Sequence, residues 1–129
     1  MSYPHFRADC SDHHDLVRDF NGPRPTITAL CGSTRFRDEF ARANRGLTAR
    51  GVIVVAPGVF GHSGDPLTED DKTLLDELHR RKIDLADEVL VVSDASGYYG
   101  DSTRSEIEYA RTQGKLVRFL VEPDVERVS

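Results

Sequence analysis

Four short apolar runs, each separated from the next by a helical pattern, limit this chain more than any other feature: residues 26–31 (TITALC), 52–56 (VIVVA), 88–93 (EVLVVS) and 116–121 (LVRFLV). They are rich in β-branched residues, bounded by Gly, Pro or Asp, and mostly lack polar alternation, so they read as strands covered on both faces. Between the first two, Phe36, Phe40, Ala43 and Leu47 recur at helical spacing before Gly51. Leu74, Leu75, Leu78 and Leu85 do the same before the third run, and Ile107 and Ala110 before Gly114. Strand and helix alternating in this way require right-handed crossovers and a parallel sheet between helical layers. The pattern therefore predicts an α/β three-layer sandwich of four or five strands in the order 2-1-3-4.

That order is flavodoxin-like, one of the Rossmann-like arrangements. Its ligands bind at the carboxyl ends of the strands flanking the point where the order reverses, here strands one and three. The loops at that point are residues 32–36 and 94–106, which carry two copies of one tripeptide, Ser33-Thr34-Arg35 and Ser102-Thr103-Arg104.

The 129 residues, 38% hydrophobic and 30% charged, suit one domain with a real core over residues 26–129. Residues 1–25 read as an N-terminal extension ending in Pro/Gly punctuation, with a short helix at 15–20. A net charge of −5 gives no reason to expect a nucleic-acid surface. No apolar run approaches the roughly 20 residues that span a bilayer, and the N-terminus lacks the basic-then-apolar order of a signal peptide, so a cytoplasmic protein is expected. Cys10 and Cys31 show no CxxC spacing and read as free thiols, Cys31 as buried packing. The adjacent His13 and His14 do not face one site on a helix, and no partner spacing makes them metal ligands.

The loop Gly32-Ser33-Thr34-Arg35 runs from a strand end to a helix start, where amides and the helix dipole favour an anion such as phosphate. Gly32 permits close backbone approach, Ser33 adds a donor and Arg35 a bidentate fork. Alternatively, Ser33 or Thr34 simply caps the helix. In the second loop, Thr103-x-x-Glu106 has the form of a capping box. Yet the first copy has Arg37 where the second has Glu106, so this chain starts such a helix without a glutamate there. A second reading thus stands beside the box, with Glu106 as a reactive carboxylate at the crevice. The preceding segment from Asp94 to Gly100 brings Tyr98 and Tyr99, two rings able to stack on a flat ligand. Residues 57–66 leave strand two beside the same crevice and read either as a lid or base-contacting segment, with Phe60 and His62, or as a solvated connection.

LCGSTR at 30–35, LADEVLVV at 85–92 and GDSTRSEIEYARTQGK at 100–115 together resemble the nucleoside 2-deoxyribosyltransferase superfamily, and within it the nucleoside 5′-monophosphate N-glycosidases. The likeness covers about residues 26–121. It implies a flavodoxin-like homodimer or higher oligomer that breaks the bond between a sugar C1′ and a nucleobase, with no metal or organic cofactor. It implies Glu106 as the catalytic carboxylate, Gly32, Ser33, Thr34 and Arg35 as the 5′-phosphate cradle, and Ser102 as a further phosphate contact. Asp94, Tyr98, Tyr99 and Gly100 would complete the nucleotide site. Where the family carries an aspartate before strand three, this chain has His79, with Asp76 on the same helical face and Asp84 turned partly away. Residues 122–129 hold no match for the polar residues that the transferases contribute from a neighbouring subunit. The expectation is hydrolysis of a (deoxy)ribonucleoside 5′-monophosphate, with deoxyribosyl transfer and non-catalytic nucleotide sensing as alternatives.

Overall fold

A computed structural model describes residues 24–61 and 64–121 of the protein. The expected helix at 15–20, Cys10, the His13-His14 pair, His62 and the segment 122–129 lie outside the described residues.

The elements follow in the order β1 (Ile27–Cys31), α1 (Arg37–Ala49), β2 (Ile53–Val55), α2 (Glu69–Leu85), β3 (Glu88–Val91), α3 (Asp101–Thr112) and β4 (Leu116–Phe119). All pairings are parallel and the strand order is β2-β1-β3-β4, the flavodoxin-like arrangement. Among the described residues the sheet has four strands. No helix of these residues is long and apolar enough to cross a membrane.

Side chains alternate across the sheet and so build two cores. On one face Ala29, Cys31, Val89 and Val91 pack under Ile83 of α2 and Ile107 and Ala110 of α3. On the other, Leu30, Leu90 and Val92 pack under Phe40 and Leu47 of α1. Leu30 and Ile83 are fully buried, each stabilising the fold by about 1.5–3 kcal/mol relative to exposure.

Two expectations fail in instructive ways. The edge strands are not covered on both faces: Leu116 and Leu120 remain exposed where the single helix of the α1 face does not span four strands, and Ile53 is exposed at the start of β2 on the other face. On α2, Leu74, Leu78 and Leu85 point outward, while Leu75, His79 and Ile83 face inward. Two apolar stripes coexist on that helix, and leucine count favoured the outer one because a histidine occupies the inner one.

Polar residues fasten the sheet at the end opposite the crevice. Asp87 takes a bidentate ion pair from Arg24 at 2.8 and 2.9 Å and the amide of Ile27 at 2.8 Å, which holds its carboxyl down at about 2. Next to it, Thr28 donates to Glu88 at 2.7 Å, and Glu88 pairs with Arg118 at 2.7 Å. A three-strand polar rung thus begins the run that otherwise reads as wholly apolar.

Candidate functional site

Three elements deliver one side chain each to a single point under the carboxyl ends of the strands. Cys31 is the last residue of β1, on the face covered by α2 and α3. His79 comes from the inward stripe of α2, and Glu106 from the second turn of α3. Cys31 Sγ lies 3.1 Å from His79 Nε2, and His79 Nε2 lies 3.6 Å from Glu106 Oε1. All three ligating atoms fall within 4.8 Å of one another. The burial is graded: the Cys31 residue is fully covered, whereas the side chains of His79 and Glu106 are 10% and 17% exposed.

Burial sets the charges here. It pushes the Glu106 carboxyl up to about 7, with Asp76 adding to the rise while Arg80 and the Cys31 thiol oppose it. It pushes the His79 imidazole down to about 4, helped by Lys82. The Cys31 thiol is held well above its usual range by burial first and by Glu106 second. At neutral pH the 3.6 Å contact is therefore not an ion pair. A neutral imidazole and a carboxyl poised between its two forms both lie against a protonated thiol.

Above this trio lies a cavity of about 580 Å³, within the range that holds small ligands. Gly32, Ser33, Thr34 and Arg35 line one side, residues 57–59 with Gly61, Asp65 and Leu67 another, and the first turn of α3 a third. Lys72, Leu75, Asp76, His79 and Lys82 of α2 complete the wall, at spacings that put them along one helical face. Gly32 has φ +153°, and a Cβ there would stand 2.4 Å from the carbonyl oxygen of Val92, so only glycine lets β1 turn over β3. Ser33 Oγ accepts from the Arg35 amide at 3.3 Å and from Arg35 Nε at 3.1 Å, which leaves the hydroxyl proton for a ligand. The Arg35 guanidinium stacks over the Tyr98 ring at 4.8 Å.

The two tripeptide copies are not equivalent. The first forms a turn, with the Phe36 amide donating to the Ser33 carbonyl, and α1 begins only at Arg37 with no side-chain cap. Neither Ser33 nor Thr34 caps it. The second copy lies inside α3, whose N-cap is Gly100 and which also has no side-chain cap. The expected capping box at Thr103 and Glu106 is thus absent: Thr103 is buried in the first turn and Glu106 sits within the helix. The helix with a capping box is α2, where Thr68 Oγ1 accepts from the Asp71 amide and Asp71 accepts from the Thr68 amide.

Of the residues singled out from sequence, Gly32, Ser33, Thr34, Arg35, His79, Tyr98, Gly100, Ser102 and Glu106 meet at this cavity. Tyr99 does not; it packs on Phe119 at 6.1 Å beside the sheet core. Asp94 does not line it either, and instead ties its own turn by accepting from the Ser96 amide and hydroxyl. Asp94 is held by the turn it closes, whose Gly97 amide donates to its carbonyl, and Tyr99 by the sheet core. The middle loop does border the cavity, while Phe60 packs against Phe40 at 5.6 Å. Sequence reasoning missed Lys72, Lys82 and the thiol of Cys31 as parts of the site; helical spacing from Asp76 and His79 was a usable signal for the lysines.

Comparison with protein-family models, curated proteins and solved structures finds no match for the chain.

Proposed function

We propose that the protein hydrolyses the N-glycosidic bond of a (deoxy)ribonucleoside 5′-monophosphate. The observation that carries this reading is Glu106: a desolvated carboxyl at the floor of a ligand-sized cavity whose far wall is a Gly-Ser-Thr-Arg turn. In this scheme the phosphate rests on that turn and on the uncapped start of α3, where amides and the helix dipole attract an anion. Arg35 and Ser33 supply charge-assisted and hydroxyl contacts, Ser102 a third, and Lys72 and Lys82 add positive charge from α2. The Arg35–Tyr98 stack offers the base an aromatic neighbour.

Glu106 then faces C1′. As the C1′–N bond breaks, its electron pair leaves with the base, and the positive charge growing on the sugar is met by the carboxylate at the face of the ring. Water completes the reaction, its hydroxide going to C1′ and its proton to the base. Low dielectric around Glu106 strengthens that charge interaction. The raised pKa is its cost.

A homodimer acting in the cytoplasm accords with two features. Leu74, Leu78 and Leu85 form an exposed apolar strip on α2, suited to a subunit contact. Cys31 is a free buried thiol, the state a reducing compartment preserves.

The test is a panel of ribo- and deoxyribonucleoside 5′-monophosphates assayed chromatographically for free base, with and without an added acceptor base. Release of base is expected from at least one member, falling by about 10²–10⁴-fold in Glu106→Gln with nucleotide binding by calorimetry retained. Exchange into the acceptor would reassign the activity to transfer. A silent panel despite nucleotide binding would make the protein a sensor, and an unimpaired Glu106→Gln would remove the carboxylate from the mechanism.

A further inference from the structure

The three side chains at the cavity floor have a chemistry that glycosidic cleavage does not use. Thiol, imidazole and carboxylate are the donors that bind zinc, at about 2.3, 2.0–2.1 and 2.0–2.2 Å respectively. Ligands at those radii stand about 3.3–3.7 Å apart around a tetrahedral ion, and two of the separations here are 3.1 and 3.6 Å. His79 turns the same atom, Nε2, toward both partners, and in the tautomer with its proton on Nδ1 that nitrogen offers a lone pair. Nothing in the proposed hydrolysis requires a buried thiol against this lone pair.

We infer that Cys31, His79 and Glu106 form a three-ligand site for a zinc-type divalent cation, with its fourth position open to the cavity. Silencing of the enzyme by this ion rests on the proposed role of Glu106; the binding site itself does not. Coordination replaces the thiol proton and any carboxyl proton, which pass to solvent, since a ligating thiol is deprotonated outright. Asp76 adds negative charge near the site against Arg80 and Lys82. Thiolate with imidazole selects zinc and cobalt over magnesium and calcium. An occupied site leaves Glu106 neutralised by the metal, without free charge for C1′, so occupancy acts as a reversible block. His79 is the residue that makes the site one of three ligands.

The experiment titrates the purified, chelator-treated full chain with cobalt(II) and then with zinc sulfate. One cobalt per chain with a thiolate charge-transfer band in the near ultraviolet is expected, abolished in Cys31→Ser and displaced by zinc. Losing a residue that only orients a ligand weakens metal binding about 10–100-fold, so Cys31→Ser and His79→Gln are each expected to weaken zinc binding by roughly 100-fold or more. Circular dichroism checks that both variants fold. A wild-type chain that gives no charge-transfer band, or two folded variants that bind zinc as the parent does, overturns the site. If base release occurs but zinc leaves it unchanged, the site stands and the block falls. If zinc binds and no nucleotide is cleaved, the site survives the failure of the proposed hydrolysis.

Discussion

At the scale of residues, the proposed chemistry turns on one proton at Glu106. Its carboxyl titrates near 7 in the folded chain against 4.5 ordinarily, so the ionised fraction needed at C1′ grows through neutrality. In metal-free enzyme, kcat/KM is expected to rise about tenfold per pH unit below 7 and to level off above it; a flat profile across that range in a rate assay would reject the assignment. Stability moves the other way. A group whose folded pKa is raised gives stability that is complete below pH 4.5 and declines until the pH passes 7, up to about 3 kcal/mol for this shift. His79, held down at about 4, gives the opposite slope over much of that range, so the Glu106 contribution is read as a difference: in thermal melts between about pH 5 and 8, Glu106→Gln should gain stability relative to wild type as the pH rises. That Glu106 and the turn from Gly32 to Arg35 wall one crevice was legible from residue type and position. The Cys31–His79 contact was not, because residues 48 positions apart meet only through the sheet.

At the scale of elements, the strand order followed from where the apolar runs fall, and the crevice from the order. What spacing could not give was the start of each helix. The two tripeptide copies share letters but not conformation: the first must cross over β3, and only Gly32 makes that crossing. Gly32→Ala forces a Cβ against the Val92 carbonyl at a backbone angle that alanine resists. A loss of about 3 kcal/mol is expected, or roughly 10–20 °C in Tm, measured by calorimetry. The inward stripe of α2 was also hidden, since a buried histidine carries no hydrophobic signal, and its burial is justified only by partners on other elements.

At the scale of the whole molecule, the outward leucines of α2 lie on the side of that helix away from the cavity floor. A proposed dimer through this strip would leave both cavities open. Wild type is expected at twice the 14.4 kDa chain mass by light scattering, and Leu78→Glu, which puts a charge into an apolar contact, at the single-chain mass with base release retained. A monomeric wild type would reject the contact. The sheet order has a different consequence for how the molecule comes into being. β1 and β2 with the helix between them can close on themselves as soon as they are synthesised, but β1 waits for β3, which arrives some 60 positions later, a loop whose closure entropy must be met before the pairing rewards it. Position 31 stands at the centre of the sheet and position 106 beyond its third strand, so no nascent chain carries the cavity floor until the last helix has left the ribosome. The proposed activity and metal capture alike become properties of the finished fold, with no half-made intermediate able to act.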